Sequence, residues 1–139
     1  MNEMTRIDRW VDRAKNDMIV AHKLFYDFYP KQLEICCYQC QQAVEKILKV
    51  YLLFNNTAFP YTHDLENLCN LCADYNNVFK NFIDDCSDLT PYSTQARYPD
   101  SIEINEEEAE SALCKAKCIL EFCISLIYPE IKDRSEENV

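Results

Sequence analysis

The sequence predicts an all-α fold, an up-and-down bundle of four to five helices, and three observations carry that reading. Apolar residues recur at steps of three and four along most of the chain, the spacing that lines one side of a helix. No segment alternates apolar and polar residues as a half-buried strand would. Of 139 residues none is glycine, so the primed hairpin turns that join antiparallel strands lack the residue they favour.

The stripes give the elements in order. Ile7, Trp10, Val11, Ala14, Met18, Ala21, Leu24, Phe25 and Phe28 predict a first helix over about residues 4–28, interrupted at Pro30. Ile35, Cys36, Cys40, Ala43, Val44, Ile47, Leu48, Tyr51 and Leu52 predict a second, ending near Phe54. Asn55-Asn56-Thr57 and Pro60 supply turn chemistry. Leu65, Leu68, Cys72 and Tyr75 make a short third stripe, and Phe79, Phe82, Ile83 and Cys86 a fourth. Leu89 to Ser101, with Pro91 and Pro99, has no sustained period and is expected to be a loop. Asn105, followed three residues later by Glu108, announces a last helix that runs to Pro129. We expect one domain over residues 1–129 and a polar tail over 130–139.

Composition narrows the function. Phosphate loops, dinucleotide turns and nucleophile elbows need backbone shapes that glycine adopts cheaply, which excludes those architectures here. Nothing resembles a signal peptide and no stretch approaches 18 uncharged apolar residues, so a cytoplasmic protein that engages no membrane is expected. The formal charge is −10, with 17 of the 24 acids in residues 56–139. General nucleic-acid binding, which needs a basic stripe, is therefore not expected. Nine cysteines without a secretory signal read as small buried side chains, Cys114, Cys118 and Cys123 included.

Several chemical patterns fail on their surroundings. Cys37-x-x-Cys40 and Cys69-x-x-Cys72 imitate a zinc site, but both fall inside helical stripes. Neither His22 nor His63 follows a glutamate by three residues, which rules out a helical di-iron site. Asp84-Asp85-Cys86-Ser87-Asp88 resembles a magnesium-pyrophosphate motif without the large helical cavity such enzymes need. Arg6, Arg9 and Arg13 share one side of the first helix, where Asp8, Asp12 and Asp17 are expected to pair with them. No metal ligand, cofactor or catalytic residue is assigned.

Two clusters are left that packing does not explain. On the second helix Tyr38, Gln39, Gln41, Gln42, Glu45 and Lys46 flank a buried stripe. In the long loop lies Gln95-Ala96-Arg97-Tyr98-Pro99-Asp100, joined by Thr62-His63-Asp64 before the third helix. Arg97 offers a planar fork for phosphate or carboxylate, and Tyr98 a stacking face. Gln42, Lys46, His63, Asp64, Arg97 and Tyr98 are the expected site residues, lining a groove in which Arg97 and His63 converge.

The pieces WVDRAKNDMIVA (10–21), CYQCQQAVEKILKVYL (37–52), THDLENL (62–68) and ARYPD (96–100), followed by the capped last helix, together resemble a HEPN domain over nearly the whole chain. The resemblance implies a bundle of four or five helices, commonly a homodimer, encoded beside a small nucleotidyltransferase in a toxin–antitoxin-like pair. Some HEPN proteins are metal-independent ribonucleases that use an arginine with a histidine after four to six intervening residues. After Arg97 the eligible positions hold Ile102, Glu103 and Ile104, and no other arginine is followed by a suitable histidine. The expected function is thus non-catalytic binding of a nucleotide, of a nucleotidyltransferase partner, or of both. A ribonuclease using His63 with Arg97 and a purely structural homodimer are the alternatives.

Overall fold

The computed structural model describes residues 2–94 and 103–130. Among them are five α-helices and no strand: α1 (Glu3–Tyr26), α2 (Leu33–Phe54), α3 (Leu65–Ala73), α4 (Ile83–Leu89) and α5 (Glu106–Ile127). Two 3-10 helices, Asn77–Phe82 and Thr90–Ser93, flank α4.

α2 is the central helix. Fourteen of its 22 residues are buried, far more than one apolar stripe provides, so it must be covered on several sides. α1 and α5 pack along it, and α3 closes a further side. Ile47, Leu48 and Leu52 are fully enclosed there with Ile7 and Val11 of α1 and Ile119 of α5. At one end Phe79 is completely buried, its ring centroid 4.8 Å from Tyr51 and 5.1 Å from Phe122. The Cys69 thiol donates to the Phe79 carbonyl at 3.1 Å, which ties the 3-10 segment to α3.

The helix ends show how a chain without glycine turns. Asn2 caps α1 by accepting from the Thr5 amide at 2.8 Å. Beyond α2 the left-handed position falls to Asn56, with φ of 58°, a conformation asparagine tolerates better than other residues with a Cβ. The amides of Asn56 and Thr57 then return to the carbonyls of Leu53 and Leu52, both at 2.9 Å. Asn105 caps α5 by accepting from the Glu108 amide at 2.8 Å. Glu108 does not reciprocate: its carboxylate takes the Tyr92 hydroxyl at 2.7 Å, so half of the expected capping box is spent on a tertiary contact.

The structure corrects several expectations. Phe28 and Tyr75 lie past the ends of α1 and α3 and are exposed, and Ile35 is exposed in the first turn of α2. The fourth stripe divides into a 3-10 helix and α4. The expected loop starts later than Leu89, because Thr90–Ser93 makes one more 3-10 turn, with Pro91 in its first turn and Tyr92 buried. Arg6, Arg9 and Arg13 have no ion pair among the described residues, since Asp17 is drawn to Lys46 and Asp8 accepts from the Tyr128 hydroxyl. Cys114 and Cys118 are exposed, one turn apart on α5, whereas the other seven thiols are buried. Burial pushes the Cys37 thiol up to about 12 and Cys123 well above its ordinary range. A thiol reagent should accordingly titrate two cysteines rapidly in native protein and all nine only after unfolding. A third fast thiol would contradict this packing.

Candidate functional site around His63

α2 carries three polar side chains that its burial does not remove. Gln41 is fully buried, and Glu45 and Lys49 nearly so. They stand at i, i+4 and i+8 and therefore form one ridge. The Gln41 amide nitrogen donates to Glu45 Oε1 at 3.1 Å and to the His63 carbonyl at 3.3 Å. Lys49 Nζ reaches Glu45 Oε2 at 3.2 Å and lies 5.3 Å from the centroid of the Phe59 ring. Gln42 donates to Gln41 Oε1 at 2.7 Å. A buried charge persists only when paired and hydrogen-bonded, and here every member is.

The outermost member is His63. Its Nδ1 lies 2.8 Å from Glu45 Oε1, yet its side chain is 71 % exposed. The buried carboxylate thus fixes the ring's orientation while the second ring nitrogen is left outside the pair. Burial alone would raise the Glu45 pKa. The hydrogen bonds with His63 and Gln41 and the Lys49 ammonium outweigh it and hold the carboxyl below its ordinary value of 4.5.

The turn that carries His63 is built by its neighbours. Thr62 Oγ1 accepts from the Asp64 amide at 3.1 Å. Asp64 caps α3, its Oδ1 accepting from the amides of Glu66 and Asn67 at 3.0 and 3.3 Å. The Leu65 amide donates to Thr90 Oγ1 at 3.1 Å, and Thr90 donates to the Cys86 carbonyl at 2.9 Å. The histidine turn is thereby fastened to the segment from which residues 95–102 continue.

The structure brings Gln42, His63 and Asp64 into one neighbourhood, with Asp64 in a capping role. Lys46 faces α1, where its ammonium pairs with Asp17. Arg97 and Tyr98 lie outside the described residues. Lys49 lies outside the expected site residues, and Gln41 and Glu45 belong to the expected polar cluster on α2 without a role of their own; the signal for all three is their spacing of four along one line of the helix. No group of three or more His, Cys, Asp or Glu side chains among the described residues could hold a metal ion.

The family model described as HEPN domain matches residues 7–131, and the chain belongs to the HEPN family. Two solved structures share the fold. TT1696 from Thermus thermophilus superposes with a TM-score of 0.71 at 25 % identity, over 85 % of this chain and 95 % of its own. ST0689, described as an archaeal HEPN homologue, gives 0.65 at 22 % identity, over 87 % of this chain and 97 % of its own. No curated protein matches the chain. No helix among the described residues is long and apolar enough to cross a membrane.

Proposed function

We propose that this protein is a non-catalytic HEPN homodimer that presents the His63 turn to a nucleotide, to a small nucleotidyltransferase partner in a toxin–antitoxin-like pair, or to both. The observation that carries the reading is the exposed imidazole seated on a buried carboxylate. Such a group meets a ligand already oriented, so little side-chain entropy is lost on binding. Gln42, half-buried beside Gln41, adds an adaptable polar contact. Lys46 and Lys49 are both engaged by acids, so in this reading the phosphate charge falls to Arg97 and the base to Tyr98. The link from Leu65 to Thr90 supports it by fastening the histidine turn to the segment that leads to Arg97.

A nucleoside triphosphate at about 100 times its Kd should stabilise the fold by about 2.7 kcal/mol, raising the melting temperature by several degrees. Arg97→Ala and His63→Ala should each abolish the rise. No shift with any nucleotide would remove the binding claim, and a monomeric mass in light scattering would remove the dimer.

One observation favours a second reading. A carboxylate that orients an exposed imidazole is also the arrangement of a proton-transfer group, which a ribonuclease using His63 and Arg97 would require. RNA left intact at high protein concentration in the presence of chelator rejects it.

A further inference from the structure

A separate surface groove runs between α1 and α5, and the His63 ridge takes no part in it. Lys15, Met18, Ile19, His22 and Lys23 line it from α1, Asp27 from just past the end of that helix, and Lys117, Leu120 and Glu121 from α5; its volume is about 560 Å³. Met18, Ile19 and Leu120 supply the apolar floor. Ile19 is 52 % exposed in the middle of α1. The α1 residues follow at i, i+3, i+4, i+7 and i+8, which makes one continuous ridge along the groove.

The rim is what selects an occupant. Lys117 is 4.0 Å from Glu121 and so has its counter-charge. Lys15 and Lys23 make no ion pair among the described residues, in a chain whose formal charge is −10; Asp27, four residues after Lys23, is the lining's other acid besides Glu121, so the lysines outnumber the acids by three to two. They are eight residues apart on α1, about 12 Å at ~1.5 Å per residue, or slightly more than two turns. Their aliphatic stems extend the apolar floor while their ammonium groups stay at the edge.

We propose that the α1/α5 groove docks an acidic amphipathic helix of a partner protein. That helix lays leucine-like residues on Met18, Ile19 and Leu120 and places two carboxylates, about two turns apart, against Lys15 and Lys23. It enters as a further helix packed into the groove between two others, the mode in which helices read apolar anchors at i, i+3, i+4 and i+7. The carboxylates decide which amphipathic helix is accepted, because a basic one meets like charge.

The test uses the full chain and two fluorescein-labelled synthetic peptides of about 15 residues. Both carry the same leucine stripe; one bears glutamate at two flanking positions seven apart, the other lysine at those positions. In fluorescence anisotropy the acidic peptide should bind at least about tenfold more tightly than the basic one. Ile19→Asp should abolish binding, and Lys15→Glu with Lys23→Glu should reverse the preference. All three positions are exposed, and an unchanged helical circular dichroism spectrum confirms that the variants fold. Equal binding of the two peptides, binding of neither, or binding indifferent to Ile19→Asp overturns the proposal. So does a dimer in sedimentation that Ile19→Asp splits, which gives the groove to a second copy. Displacement of the acidic peptide by phosphatidylserine vesicles also overturns it, in favour of a membrane surface. Nucleotide stabilisation at His63 should be the same in all these variants, which separates the two sites.

Discussion

Replacing Glu45 by alanine should destabilise the fold by about 3 kcal/mol, because it strands a nearly buried lysine and removes the carboxylate that Gln41, Lys49 and His63 share. The cost comes from what stays behind: Lys49 keeps its charge in a place with little water, and Gln41 keeps only its bond to the His63 carbonyl. Glu45→Leu combined with Lys49→Leu should regain most of the loss, since both charges then leave together. Thermal and urea unfolding of the single and double variants measure this; a double variant no better than Glu45→Ala would show that the charge pair is not the source.

The same residue sets an acid dependence. The folded pKa of Glu45 lies below its ordinary value of 4.5, so the native state prefers the ionised form more than the unfolded chain does. Its contribution is fully present above pH 4.5 and fades as pH falls below that value through the folded pKa. The stability gap between wild type and Glu45→Gln should therefore be constant near neutrality and narrow on acidification. A gap that widened in acid would reverse the sign of the argument.

The second large effect belongs to Phe79. Phe79→Ala should cost about 3–5 kcal/mol, because the ring is fully enclosed and bridges Tyr51 on α2 to Phe122 on α5. The Cys69 thiol bond to the Phe79 carbonyl holds the backbone in place, so the cavity has little means of closing. Phe79→Leu should lose distinctly less. Equal losses for the two variants would mean that volume is not what the site needs.

How much of this was legible in the residues differs from element to element. α1, α2 and α5 were readable because their apolar stripes persist over many turns, and Asn105 marked the start of α5 to the residue. From Phe79 to Cys86 the apolar positions were legible but not their division into a 3-10 helix and α4, and the turn at Thr90–Ser93 was not, because so short a turn buries Tyr92 by tertiary contact without holding a period. The exposure of Cys114 and Cys118 could have been foreseen, since the α5 stripe runs through Ala112, Leu113, Ala116 and Leu120 and passes both by. Membership of the HEPN family was legible from ordered motifs. The role of Glu45 was half visible: its spacing from Gln41 and Lys49 is in the sequence, but that His63 returns to it from 18 residues away is a property of the chain path.

The enclosure of α2 also bears on how the chain must be made. An element with so little water-compatible surface cannot wait alone; it needs α1 laid on it early, and these two are joined by only a short connection between Tyr26 and Leu33. The side that α5 covers stays wet until residue 106 and beyond have left the ribosome. A nascent or truncated product ending before that point would show a sticky strip and become a client for chaperones or proteases, so abundance in the cell should depend steeply on α5 being translated to completion.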